Sequence, residues 1–320
     1  MLPEKRKKLI ISCIAIIIAI IVVILLGKIS SFIKNKSNNI ERRSDDYSEL
    51  YDYIGVAKDK DGIYKIYGIN EDDEKYLDVK TFYDVKDMIN IDNKIVLYSD
   101  AVNEIRYDSK NDEFYFYELD SFFNKYDNVS LTHDYLAVTD NDKISYKKYN
   151  SGQLESIDDA EDYLLKNNKM YYLSNNDIYE YDLDSKNKKT IVSSEETDTV
   201  KLIAISDKYL FYSKNDELNA YNIKRYYSET IRNRKFYSVS DEGIITIEEN
   251  ILKDISVSEG RAIYQYNLSS DLDNIIYLGN NNIYLSFEDN YVIIDLQTSK
   301  VWKNLDNDYI YLMKVKNNES

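Results

Sequence analysis

Seven times between residues 54 and 305 the chain runs through one short programme: an apolar strand, a polar turn, a second strand, another turn and a third strand. Repetition of this kind constrains a fold more than any local propensity does. Each unit is too small to bury its own apolar face and has to stack on its neighbours. The units begin near Ile54, Ile95, Tyr135, Met170, Tyr209, Ile244 and Ile283, so successive starts lie 35 to 41 residues apart. That spacing meets the lower edge of the period of four-stranded propeller blades, about 40–45 residues in the WD type. Residues 170–192, MYYLSNNDIYEYDLDSKNKKTIV, show the unit most clearly.

One further apolar run separates each unit from the next, at 83–90, 128–133, 161–167, 199–206, 235–240 and 274–280. With these runs every unit after the first has four short strands, and the first has three. The missing strand stands at the far end of the chain: YIYLMKVK (309–316) follows the seventh unit and has nothing after it to pair with. If it joins the strands of 51–79, the ring closes through a blade built from both termini and no long sheet edge stays open. The expected fold is therefore all-β, a seven-bladed β-propeller over residues 48–316 closed by the C-terminal strand. A β-sandwich followed by a second β domain is the competing architecture.

The residue types agree with blades. Tyrosine is abundant, at 33 residues, whereas the chain has only 8 glycines and one proline. Tyr, Ile, Val and Leu suit pleated, half-buried strands. A tyrosine ring fills the wedge between two blades while its hydroxyl reaches the rim. Asn-Asn, Asn-Asp and Asp-Asn pairs take over the turn work of glycine, because both residues tolerate the left-handed region. The pairs Tyr171-Tyr172 and Phe211-Tyr212 and the stretch IYEYDLDS (178–185) carry a resemblance over roughly residues 48–316. The chain resembles the tyrosine-rich bacterial β-propellers of unknown function, which are similar to the YWTD and TolB-type propeller groups, although it has neither a YWTD tetrapeptide nor a WD dipeptide. The resemblance implies a binding platform and no particular activity.

Ahead of the repeats, residues 9–27 form nineteen residues without a charge, LIISCIAIIIAIIVVILLG. At about 1.5 Å per residue a helix of this length reaches roughly 28 Å, close to a hydrocarbon core of about 30 Å. The segment reads as one transmembrane helix. After Leu26 the chain reads only GKISS, a poor match to a signal-peptide cleavage site. Ile-Ile-Ser-Cys (10–13) superficially fits a lipobox, but only four residues separate Lys8 from Cys13 and the apolar run continues beyond it. Lys5, Arg6, Lys7 and Lys8 pack against the start of the helix, whereas the basic residues after it are spread out. That asymmetry favours a short cytoplasmic N-terminus (1–8) with the large domain outside a bacterial cytoplasmic membrane. Residues 28–47 read as a flexible tether spanning on the order of 25 Å, and 317–320 as a tail.

The net charge of -16 is uneven. Residues 1–47 hold nine Lys/Arg and four Asp/Glu, leaving 32 basic and 53 acidic residues in the rest, a net of -21. Such a domain repels phosphate backbones, which argues against nucleic acid as a partner. Cys13 is the only cysteine, so an intramolecular disulfide and a cysteine metal site are both excluded.

Catalytic and cofactor signatures are missing. The single histidine, His133, falls at the end of an expected inner strand before a His-Asp turn, where a structural role is the simpler reading. No nucleophile elbow, Walker loop, dinucleotide fingerprint or zinc-protease motif occurs, so no cofactor and no metal ligand is assigned. AKDKDG (57–62) resembles the start of a calcium loop but would lack carboxylates at its first and twelfth positions. It reads better as a hairpin turn with Gly62 left-handed. The acidic turn Glu71–Glu74 reads as solvated. Two segments are candidate binding surfaces. SFFNKY (121–126) offers Phe122, Phe123 and Tyr126, and KRYYSETIRNRK (224–235) gathers Lys224, Arg225, Arg232, Arg234 and Lys235 against Glu229 alone. Packing between blades is the competing role for the first, and protection of an outer blade edge for the second.

These features point to a membrane-anchored, extracytoplasmic propeller that binds or senses an envelope protein or glycan. The alternative is a glycosidase or lyase that uses two carboxylates on one propeller face, and a spacer without a ligand is a third.

Overall fold

The computed structural model of the chain describes residues 44–120, 129–139, 142–149, 151, 153–232 and 234–315. Residues 9–27, and with them the expected transmembrane helix, lie outside that set.

Blade 1 takes β1 (Tyr53–Lys58), β2 (Tyr64–Ile69) and β3 (Glu74–Thr81). Blade 2 is β4 (Asp87–Ile91), β5 (Lys94–Tyr98), β6 (Val102–Asp108) and β7 (Glu113–Asp120). Blade 3 is β8 (Val129–Leu131), β9 (Tyr135–Thr139), β10 (Lys143–Lys148) and β11 (Glu155–Asp158). Blade 4 is β12 (Asp162–Lys166), β13 (Lys169–Ser174), β14 (Asp177–Asp182) and β15 (Lys188–Val192). Blade 5 is β16 (Val200–Ile205), β17 (Tyr209–Lys214), β18 (Glu217–Asn222) and β19 (Tyr227–Ile231). Blade 6 is β20 (Ser238–Val239), β21 (Gly243–Glu248), β22 (Ile251–Ser256) and β23 (Ala262–Asn267). Blade 7 is β24 (Asn274–Gly279), β25 (Asn282–Phe287), β26 (Asn290–Asp295) and β27 (Lys300–Leu305).

The last strand, β28 (Tyr309–Lys314), returns to blade 1 and pairs antiparallel with β1, Gly55 opposite Leu312, which gives the order β28-β1-β2-β3. The C-terminal strand thus closes the ring as the repeat count requires. The innermost strands β28, β4, β8, β12, β16, β20 and β24 touch one another in sequence around the axis.

Antiparallel meanders fix two faces. The turns from first to second strand and from third to fourth strand lie on one side, called the front, and the remaining turns and all blade-to-blade connections lie on the back. Among the described residues, five hairpins turn on two consecutive left-handed residues, Asp92-Asn93, Asn175-Asn176, Asn215-Asp216, Glu249-Asn250 and Asn280-Asn281. Four of these pairs consist of Asn and Asp only, and Glu249 is the exception. Gly62 is left-handed too, at φ 81°, and the Asp59 side chain accepts hydrogen bonds from Asp61 N and Ile63 N across that turn.

On the front a second bond repeats. The residue after the third strand donates its backbone N–H to a carbonyl of the inner turn: Leu183 to Asn168 at 2.9 Å, Ile223 to Lys208 at 3.0 Å, Val257 to Glu242 at 3.1 Å and Leu296 to Asn281 at 2.8 Å. Tyr149 of blade 3 donates to Asp134 in the same way at 2.9 Å, whereas in blade 1 Val315, which follows the innermost strand β28, donates to Asp52 just ahead of β1 at 2.9 Å. The core is a set of wedges between blades. In the wedge between blades 1 and 2, Ile54, Val56 and Ile66 pack with Ile95, Leu97 and Ile105.

Ordered packing begins inside the span expected for the tether. Asp45 N donates to Tyr107 O at 2.8 Å, and the Asp45 carboxylate accepts from Ser109 N at 3.0 Å, in the front turn between β6 and β7. Tyr47 is 2% exposed, lies edge-on to Phe114 at 5.6 Å, and its hydroxyl accepts the Ile95 N–H at 2.8 Å. Residues 45–51 form a strap that enters on the front and plugs the wedge between blades 1 and 2. The Asp-rich surroundings of Tyr47 conceal this burial, because every partner named here lies at least 48 residues away in sequence.

Candidate functional site

The inner strands converge on the axis, and their front ends enclose a funnel of about 550 Å³. Its floor is apolar: Ile89 and Ile91 of β4, Leu131 of β8, Leu165 of β12, Ile205 just below the β16 turn and Met313 of β28. Five blades therefore contribute to one floor. Its rim is polar, with Asp92, His133, Lys166 and Asn167 standing at the inner turns. Apolar walls with a few convergent polar groups are the usual make-up of a ligand site.

A second depression of about 400 Å³ shares His133 and Asn167 with the funnel and continues across blades 3 and 4 past Asp134, Asn168, Lys169 and Asp182. His133 sits where the two meet. The result is a trough that starts at the axis and runs outward over the front face.

The rim charges are arranged in pairs. Lys166 Nζ lies 2.7 Å from Asp207, and Lys208 pairs with Glu242 in the next two inner turns. His133 Nδ1 lies 2.9 Å from Asp134 Oδ1 and its Nε2 3.7 Å from Asp92 Oδ2. The hydrogen bond from His133 holds the Asp134 carboxyl below the usual carboxylate range, with Lys148 adding to the effect. Asp92, 88% exposed, projects furthest into solvent. Tyr135 donates to Asp184 at 2.9 Å and Asn168 donates to the same carboxylate at 2.8 Å, which fixes the groove wall.

Asp87 opens β4, two residues ahead of Ile89 on the funnel floor. Its carboxylate accepts Met88 N at 2.8 Å and, from the neighbouring inner strand, Leu131 N at 2.7 Å. Asp87 is half-buried, and desolvation pushes its carboxyl up to about 6.

The basic cluster read from residues 224–235 does not form one patch. Lys224 and Arg225 lie in the front turn before β19, where their N–H groups donate to the Asn222 side chain. Arg232, Arg234 and Lys235 lie in the back connection after it. Five residues of strand, about 17 Å at about 3.4 Å each, stand between them. Arg234 pairs with Glu248, and Lys235 lies 5.0 Å from the Tyr237 ring centre. Arg232, Arg234 and Lys235 instead line a back-face groove of about 420 Å³ with Asp216 and Glu217 opposite. Phe122, Phe123 and Tyr126 fall outside the described residues. The acidic turn of residues 71–74 turns out to be structural at one end: Glu74 accepts the Tyr309 hydroxyl at 2.7 Å and Asp306 N at 2.8 Å.

Sequence reading missed the funnel altogether. Its floor draws one or two residues from each of five inner strands, and each of those strands reads as an ordinary apolar run.

Seven four-stranded blades around an axial funnel define a β-propeller. No protein-family model matches the chain, and no curated protein matches it either. Solved structures with a related outline are themselves propellers. Apo AztD from Citrobacter koseri is 9% identical, with a TM-score of 0.49 over 81% of this chain and 88% of that one. The WD40 repeats of RRP9 are 9% identical, with a TM-score of 0.44 over 82% and 86%. The computationally designed Ika8 protein is 14% identical, with a TM-score of 0.47 over 80% and 85%. Likeness at this level singles out no group among the propellers.

Proposed function

We propose that the protein is a membrane-anchored binding module whose ligand occupies the front-face trough, the axial funnel together with the groove over blades 3 and 4. The observation that carries this reading is the continuity of the two cavities at His133 on a face held rigid by the repeated turn-to-turn hydrogen bonds. Rigid, pre-bonded turns lower the ordering cost of binding. An apolar floor with paired charges on its rim suits an extended protein segment that inserts an aliphatic or aromatic side chain and leaves polar groups at the mouth. With residues 9–27 as the anchor and the domain outside the cytoplasmic membrane, the partner is an envelope protein. A glycan is the second ligand class for the same trough, entering through the polar groove.

Two measurements test the reading. Asn187→Cys adds an exposed thiol in a front turn of blade 4, and an impermeant maleimide applied to intact cells reports its side; labelling only after lysis would sink the envelope assignment. Asp92→Lys and Asn167→Arg should reduce recovery of a cross-linked partner at least about tenfold, on the order of 1.4 kcal/mol. The back-face change Arg232→Glu should leave recovery unaltered. Equal recovery from all three variants would remove the trough as the binding site.

A further inference from the structure

Both the strap and the funnel lie on the front face, and this shared location bears on what fills the funnel. We propose that residues 28–43 of this chain dock back into it, with Phe32 and Ile33 on the apolar floor and the flanking basic residues over the rim. The segment would then hold in cis the site that a partner takes in trans. This inference rests on the reading of the trough as the binding site.

Charge supports it first. Residues 28–43 carry Lys28, Lys34, Lys36, Arg42 and Arg43 against Glu41, a net of +4 in a chain whose remaining domain is strongly acidic. The inner turns of the front face carry Asp92, Asp134, Asp207, Asp241 and Glu242. Lys166 and Lys208 offset two of these carboxylates, and Asp92 meets only the His133 ring among the ion pairs of the described residues. Opposite net charge draws the two together and sets the orientation of the encounter.

Reach supports it next. The chain enters the described fold at Ser44, next to the front turn of blade 2, where Asp45 bonds Ser109. From the turn between the third and fourth strands to the inner strand is two to three strand spacings, roughly 12 Å at about 4.8 Å each. Phe32 precedes Ser44 by twelve residues, and a coil of twelve residues spans roughly 19 Å. The floor of the funnel therefore lies within the reach that twelve residues allow. At such a tether length the local concentration is on the order of millimolar, enough for a weak fit to stay occupied. Side-chain chemistry agrees as well, since Phe32-Ile33 is the one adjacent apolar pair in residues 28–43 and the floor is wholly aliphatic apart from Met313.

Because Cys13 is the only native cysteine, cross-linking in the full chain reads the contact directly in a Cys13→Ser background. Phe32→Cys combined with His133→Cys should form an intramolecular disulfide under mild oxidant, at a yield at least about fivefold above that of Phe32→Cys with Asn176→Cys in a back-face turn. Asn167→Cys serves as a second funnel position should His133→Cys perturb its turn. Reversing the charges with Lys34→Glu, Lys36→Glu, Arg42→Glu and Arg43→Glu should lower the funnel yield to that of the back-face control. Equal yields on the two faces, or a funnel yield that survives charge reversal, overturn the inference. Failure of the trough reading is seen separately: there the cross-link forms, yet Asp92→Lys leaves partner recovery unchanged.

Discussion

The wedge between blades 7 and 1 and the wedge between blades 2 and 3 do the same job by different chemistry. In the first, Tyr309 is completely buried, its ring filling the space left by Gly55, where a Cβ would come within 2.4 Å of that ring. Tyr284 and Tyr67 stand edge-on to it at 6.2 and 5.9 Å. Its hydroxyl donates to Glu74, its N–H donates to the Tyr284 hydroxyl at 2.9 Å, and Tyr284 donates in turn to Asp308 at 2.8 Å. In the second wedge the apolar set is made mainly of Val and Leu around Tyr98, and Lys147 of β10 reaches Asp120 of β7 at 3.0 Å with both side chains largely buried. Blades 2 and 3 are joined by the continuous chain. The ring itself is closed by nothing covalent, only by β28 lying on β1, where the Tyr309 ring packs over Gly55. Aromatic rings bring large buried area together with a polar tip, so one residue both fills the seam and fixes its register.

The largest expected effect breaks the seam. Tyr309→Ala removes the ring and strips Glu74 of a donor, and should cost about 3–5 kcal/mol, read as a fall in the urea midpoint. Loss of a single cooperative transition would accompany it if blade 1 opens first. The other wedge should answer differently to its own lesion. Lys147→Met leaves Asp120 buried without that cation and should cost about 3 kcal/mol, with most of the loss recovered in the double variant Lys147→Met/Asp120→Leu. Failure to recover would mean that the pair contributes more than neutralisation. Gly55→Ala should cost about 1–3 kcal/mol, since the added methyl must displace the Tyr309 ring. The same change at the exposed Gly260, where a Cβ meets nothing within 4 Å, should cost less, its left-handed φ of 67° being the only strain.

Titration sharpens the contrast with smaller effects. Burial raises Asp87 to about 6, against about 3.9 in an unfolded chain. The folded state binds that proton more tightly, so the contribution is fully present below about pH 4 and fades as pH rises through 6. Urea midpoints from pH 4 to 8 should show this slope in the wild type and a flatter one in Asp87→Asn. The seam responds at the alkaline end. Burial raises Tyr309 and Tyr284 above the ordinary phenol value of 10.0. Their stabilisation holds below that value and is lost as the pH climbs past it, and Tyr284→Phe should blunt the alkaline transition.

How much of this was readable beforehand follows from the distances involved. The blade count, the closing strand and the Asn/Asp turns were legible, because each is written in contiguous residues and in the arithmetic of repeats. Glu249 in a left-handed position was not, since it looks like any surface glutamate. The cluster of residues 224–235 is continuous in sequence but is split between the front and back by β19. The funnel is the converse case, scattered in sequence and contiguous in space. Tyr47 was hidden because its neighbours are acidic and its partners distant.

Closing a ring with the last strand also sets a clock on its assembly. At about 5–20 residues per second, the ribosome needs roughly 10–50 s to travel from β1 to β28. Throughout that interval β1 offers an unpaired edge, and blades 2 to 7 can stack in order of synthesis while the first blade waits for its partner. Newly made chains therefore carry one exposed strand until the very end, and any second copy emerging nearby brings a β28 that fits it equally well.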